Sequence, residues 1–125
     1  MTHPLPLLKR QHHLLLAVLS SHIGASQGLS AKDLTVAVNR VAGMDLISER
    51  DLRHLVTDLR MRGHHVCATP DCGYFMAANE KELLITCRFL FDRGMTGLRQ
   101  VAAMRKVALP DLAGQLRIPL EPKPD

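Results

Sequence analysis

Along the chain, apolar residues at Leu8, Leu15, Leu16, Leu19 and Ile23 recur at helical spacing and predict a first helix from about Leu8 to Ala25, stopped by Gly28. Ser30-Ala31-Lys32-Asp33 then has the form of a capping box. Its hydroxyl and carboxylate are placed to satisfy the first backbone donors of a second helix, roughly Ala31 to Val41, with Leu34, Val38 and Val41 facing inward. Gly43 to Ile47 reads as a connector. Ser48-Glu49-Arg50-Asp51 repeats the capping signature, and Leu52, Leu55, Val56 and Leu59 follow at the i, i+3, i+4, i+7 spacing of a buried stripe. Gly63 is a natural C-terminal cap for this third helix.

The period then changes from that of a helix to that of a strand. His64 to Thr69 and Tyr74 to Ala78 flank the turn Pro70-Asp71-Cys72-Gly73 and predict a short hairpin, with Pro at the second turn position and Gly at its close. Asn79 is placed to cap a last helix that continues from Glu80 to about Val107, where Ala108-Leu109-Pro110 ends it; Gly94 and Gly97 allow a bend within it. Met1 to Leu7 carries two prolines and is expected to be a loose arm. The segment 108–125 holds four prolines and is expected to be a partly ordered tail with one short turn around Asp111 to Leu116. The resulting architecture is mainly α with a small β-hairpin and a long C-terminal helix, in one domain spanning residues 8–107.

Composition fits that reading. A chain of 125 residues with 46% hydrophobic and 22% charged residues has enough apolar surface to form a core without disulfides or metals, unlike chains whose charge keeps them unfolded. One Tyr, three Phe and no Trp leave the interior to Leu, Val, Ala and Met, which favours helices over sheets. The first apolar stretch, Leu14 to Leu19, is short, flanked by His and without a convincing cleavage site. No run has the length of a membrane span, so a soluble cytoplasmic protein is expected. In that compartment the three cysteines are thiols.

The order helix, helix, helix, hairpin, long helix resembles a winged helix-turn-helix. The segment from the Ser30 cap through the Leu-rich third helix to Gly63, the first strand, Gly73-Tyr74-Phe75 and Ala77 is similar to small phage- and prophage-type winged-helix regulators and replication proteins. The resemblance implies a non-enzymatic, double-stranded-DNA-binding protein, either a transcriptional regulator or a replication accessory factor, with a recognition helix at about 49–62. Steps of about 100° put Arg50, His54, Thr57 and Met61 opposite the Leu52-Leu55-Val56-Leu59 stripe, flanked by Arg53 and Arg60. Arg bonds guanine bidentately, Thr meets thymine methyls and His donates to bases or phosphates, so Arg50, Arg53, His54 and Thr57 are the expected readers. Arg60 and Arg62, followed by His64 and His65, are expected at phosphates. Against this stand Glu49, Asp51 and Asp58, which phosphate repels, and a hairpin tip with no Lys or Arg. The net charge of +4 is a mild bias toward polyanions.

Other chemistry is weaker. Hairpin pairing brings His65, Cys67 and Cys72 near one another. Three ligands without knuckle spacing make a poor zinc site, and Cys67 reads better as a small buried hydrophobe and Cys72 as an exposed turn residue; no metal or other cofactor is expected. His12, His13 and His22 read as decoration of the first helix. Gly-rich phosphate loops, zinc-protease signatures and nucleophile elbows are absent from the sequence, so no enzyme is expected. The last helix carries an apolar stripe wider than a small core needs, and Leu84, Cys87, Phe91, Met95 and Leu98 are expected to pair it with a second copy as a homodimer. In the alternative, the protein is a winged-helix adaptor that makes no direct DNA contact and docks a protein partner on that helix.

Overall fold

The computed structural model describes residues 7–106. The expected arm 1–7, apart from Leu7, the expected helix end at Val107 and the expected tail 108–125, with the helix stop at Pro110 and the turn at Asp111 to Leu116, lie outside them. Its elements are α1 (Arg10–Leu19), a 3-10 turn (Ala25–Gln27), α2 (Ala31–Ala42), α3 (Glu49–Met61), β1 (Val66–Thr69), β2 (Gly73–Met76) and α4 (Glu80–Arg105). The fold is mainly helical with one antiparallel hairpin and a long C-terminal helix, as the hydrophobic pattern implies. The chain groups into two compact units, one whose described part ends at Thr86 and one whose described part runs from Cys87.

The core of the first unit is the meeting of three helical stripes. Leu15 and Leu19 of α1, Leu34 and Val38 of α2, and Leu52 and Leu59 of α3 are fully buried, joined by Ile47 and Val66. Each such Leu contributes on the order of 1.5–3 kcal/mol by leaving water. The Ser48 capping box forms in full, and of the expected Ser30–Asp33 box the hydroxyl half forms. The Ser30 Oγ accepts the Asp33 N–H at 3.1 Å, and Ser48 and Asp51 exchange bonds reciprocally at 3.1 and 2.9 Å. Gly43 closes α2 at φ +72°. Just beyond it, the Asn39 carboxamide accepts the N–H groups of Leu46 and Ile47 and donates to the Ile47 carbonyl at 2.9 Å, fixing the path into α3.

Three sequence expectations are corrected. α1 ends at Leu19 and not near Ala25. Ser20 is its C-cap, and Ser21 and His22 then donate to Val18 and Leu19, three residues back, as the last turn tightens. The chain then goes extended beside β2: Met76 N–H donates to His22 and Gly24 N–H to Met76. Ile23, expected on the inward stripe, is accordingly 56% exposed. Val41, expected inward, is 62% exposed; it lines an open groove with Ala17, Val18 and Ser21, where α1 has no further turn to cover it. His12 is the third case. It stands one helical step from Leu8 and Leu15, is buried, and is part of the interior and no surface decoration.

The hairpin pairs Val66 with Met76 and Thr69 with Gly73. Leu29 adds a bridge to its other edge, exchanging N–H and carbonyl bonds with Tyr74 at 2.9 and 2.7 Å. Backbones approach so closely there that a Cβ on Gly28 would overlap the Cys72 carbonyl. One on Gly73, which sits at φ +77°, would overlap that of Leu29. Glu82 completes the unit, with one carboxylate oxygen accepting Ala25 N–H (3.0 Å), the other Ala78 N–H (2.8 Å), and its own N–H donating to the Asn79 cap (2.9 Å).

Candidate nucleic-acid interface

Helix α3 separates its residues cleanly. Leu52, Leu55, Val56 and Leu59 are buried, whereas Arg50, Arg53, His54, Thr57 and Met61 are exposed. The outward face therefore holds two guanidiniums, an imidazole and a threonine on a helix anchored by four apolar side chains. Thr57 Oγ1 donates to the Arg53 carbonyl at 3.0 Å, so its hydroxyl proton is used within the helix while its methyl remains available. His54 borders a cleft of about 160 Å³ with Gln11, Leu46, Ile47 and Asp51.

Arg60 and Arg62 do not belong to that face in the same way. Arg60 is half-buried, and its Nε donates to the Val66 carbonyl at 2.8 Å, tying the end of α3 to β1. Arg62 is the half-buried C-terminal cap residue. Of the six residues expected at DNA, the structure thus gathers Arg50, Arg53, His54 and Thr57 and gives Arg60 a structural bond.

The acids that count against phosphate contact are differently placed from what the bare sequence suggests. The Asp51 carboxylate receives the Ser48 N–H, and its pKa is held below the ordinary carboxylate value first by that backbone bond, then by the Ser48 side chain, with His54 and Arg50 adding favourable charge. Asp58 accepts a bond from His12 Nε2 at 2.8 Å. Lys9 N–H donates to His12 Nδ1 at 3.0 Å, which places the ring proton on Nε2, facing the carboxylate. Two of the three acids of α3 are therefore engaged inside the fold, leaving Glu49 in its first turn. The sequence signal for His12 was its position in line with Leu8, Leu15 and Leu19; its partner, 46 residues away, had no local signal.

The hairpin tip carries Asp71 and no Lys or Arg, and is closed by Cys72 N–H donating to Thr69 Oγ1 at 3.0 Å. His64 is half-buried and His65 exposed. Cys67 is fully buried, its Sγ 3.8 Å from the Glu82 carbonyl, in the interior position expected of a small hydrophobe. Cys72, expected exposed, is half-buried, and neither is in a disulfide. Among the described residues no three His, Cys, Asp or Glu side chains converge in a way that would hold a metal ion.

In α4, Leu84 of the first unit is 57% exposed. In the second unit Phe91 (67%) and Leu98 (47%) are exposed at the surface with Cys87, and Met95 is half-buried. Among the described residues no helix is long and apolar enough to cross a membrane. No protein-family model, curated protein or solved structure matches this chain.

Proposed function

We propose that this is a non-enzymatic, cytoplasmic DNA-binding protein of winged-helix type, a regulator or a phage-type replication accessory factor, that reads duplex DNA with α3 and self-associates through the distal part of α4. The observation that carries the reading is the outward face of α3. Arg50, Arg53, His54 and Thr57 lie exposed on a helix whose opposite face is locked into the core, while Asp51 and Asp58 are occupied within the fold. Such a helix presents bidentate donors and a methyl group in a fixed frame, which is what readout of base edges in a major groove requires. The Leu29 bridge stiffens the hairpin that follows α3, so the end of the helix and the strand are held in one frame by Arg60.

Self-association is supported by Cys87, Phe91, Met95 and Leu98, which recur every three or four residues along one side of a helix that leaves Phe91 and Leu98 in water. Two copies pairing along that stripe present two recognition helices, as a two-fold site needs.

The test is fluorescence anisotropy of the purified protein with random duplex DNA at low and near-physiological salt. A salt-sensitive rise that Arg50→Ala and Arg53→Ala weaken without loss of helicity supports the reading. A flat response sinks it and directs attention to a protein partner for α4.

A further inference from the structure

The positive charge of this protein is unevenly distributed. Residues 1–86 contain nine Lys and Arg against eight Asp and Glu. Residues 87–106 contain Arg88, Arg93, Arg99, Arg105 and Lys106 against Asp92 alone. That short stretch equals the whole chain's net charge of +4. Arg88, Arg93, Arg99 and Lys106 are exposed, and none forms an ion pair within the described residues. Arg93 lies over the Phe89 ring, 5.8 Å from its centroid, a contact that leaves its charge in place.

The placement of these cations is ordered. At about 100° per residue, Arg88 and Arg99 fall within about 20° of each other, and Arg93 lies about 120–140° around the axis from them. Together they bound the side of the helix that also carries Asp92, Thr96 and Gln100, with the Phe89 ring beneath Arg93, and that faces away from the Cys87-Phe91-Leu98 stripe. A helix about 10–12 Å across with arginines on both edges of its polar face matches a groove whose two walls are phosphate strands.

We infer that the polar face of α4 from Arg88 to Arg99 is a second, sequence-independent phosphate-contacting surface that engages the nucleic-acid backbone, with Arg88 and Arg99 on one strand and Arg93 on the other. The inference rests on the DNA-binding reading of the preceding subsection and assigns its salt-dependent component to a different element. A nucleic acid suits this face better than an anionic bilayer. Arg105 falls in the line of Phe91 and Leu98, seven residues beyond the latter, and Gly94 and Gly97 lie within the apolar side, so that side is interrupted and ends in a charge. An interfacial helix instead needs a continuous apolar face to insert.

The experiment compares the full chain, the triple variant Arg88→Gln/Arg93→Gln/Arg99→Gln, the matching triple Lys variant, and Arg50→Ala/Arg53→Ala. Each is titrated with random duplex DNA between about 50 and 200 mM salt, where the slope of log K against log salt reports the phosphates neutralised. Vesicles of phosphatidylserine and phosphatidylcholine are run in parallel, and circular dichroism checks that helicity is kept; Gln is a good helix former. The expected result is a slope shallower by about 2 to 3 in the Gln triple, as loss of three phosphate contacts requires, and restored in the Lys triple. An unchanged slope in the Gln triple, with binding lost in Arg50→Ala/Arg53→Ala, overturns the inference and leaves the α3 reading standing. The reverse pattern upholds the inference and removes α3. Vesicle binding without duplex binding overturns both.

Discussion

Helix α3 and the distal part of α4 are both amphipathic, both rich in arginine, and built on opposite terms. In α3 every apolar side chain of the stripe is buried, the first turn is closed by a reciprocal cap, and two of three acids are bound within the fold. In α4 beyond Thr86 the apolar residues Phe91 and Leu98 face water, and four arginines meet one acid. A short isolated helix in water is marginal, and its stability comes mostly from packing of its apolar face. Helix α3 is therefore specified by its own domain, whereas the distal α4 carries a surface that makes energetic sense when something covers it. Precise readout belongs to the first kind of helix, and association with a partner or a polyanion to the second.

The same substitution in the two helices gives the largest expected contrast. Leu52→Ala removes a fully buried side chain from the centre of the three-helix core and should lower unfolding stability by about 2–5 kcal/mol in denaturant titration. Leu98→Ala, at a residue 47% exposed, should change the stability of the first unit by no more than about 0.5 kcal/mol while weakening self-association in sedimentation equilibrium. Equal destabilisation by the two would mean that the distal helix is covered within the protomer, and the contrast would collapse.

Next in size are the exposed arginines of α3. Arg50→Ala should cost about 1–3 kcal/mol of specific duplex affinity if it makes a bidentate base contact, with the unfolding midpoint unmoved. A uniform loss on all sequences, with a shallower salt slope, would reassign Arg50 to phosphate contact and make α3 resemble the distal α4. Ser48→Ala follows, at about 0.5–2 kcal/mol of stability, because it frees a backbone donor at the N-terminus of α3 and releases Asp51 from its reciprocal bond. A variant as stable as wild type would show that packing of the Leu52 stripe alone holds the first turn.

What was legible in the sequence follows the same division. Helix α3 has all its signals between Ser48 and Gly63, so its cap, stripe and C-terminal glycine could be read together and each is seen in the structure. The hairpin turn was equally local. The early end of α1, the Leu29 bridge, the Asn39 clamp and the His12–Asp58 pair each depend on a partner outside the window in which periodicity is read. Gly28 shows the limit well. Read as a helix stop, it is required because the Cys72 carbonyl occupies the space a Cβ would need. The same limit applies to the site: that the Asp51 and Asp58 carboxylates are held in place by Ser48 and His12 has no signature in the charge pattern of α3, whose formal charges the fold leaves unchanged.

The smallest expected effect concerns acid. Asp51 and Glu82 both lie in the first unit, and both have pKa values below their ordinary ones. Backbone donation from Ser48 is the largest cause for Asp51, and donation from Ala78, then Ala25, for Glu82. A carboxylate whose folded pKa is depressed contributes stability that is present above its unfolded pKa and is lost as pH falls through the folded value. The loss should therefore begin near pH 4 and extend below it, with no contribution to pH dependence around neutrality. Asp51 is exposed and Glu82 only half-buried, so the change is modest and needs a sensitive probe. Tyr74, the single Tyr in a chain without Trp, is half-buried beside the Leu29 bridge and reports on the first unit by its fluorescence. The double variant Asp51→Asn/Glu82→Gln should be less stable than wild type at neutral pH and should converge with it as the pH drops below that range. If the gap persists unchanged into acid, the two substitutions act through packing or helix capping that does not depend on charge, and the backbone bonds to these carboxylates are not what sets the acid limit of the first unit.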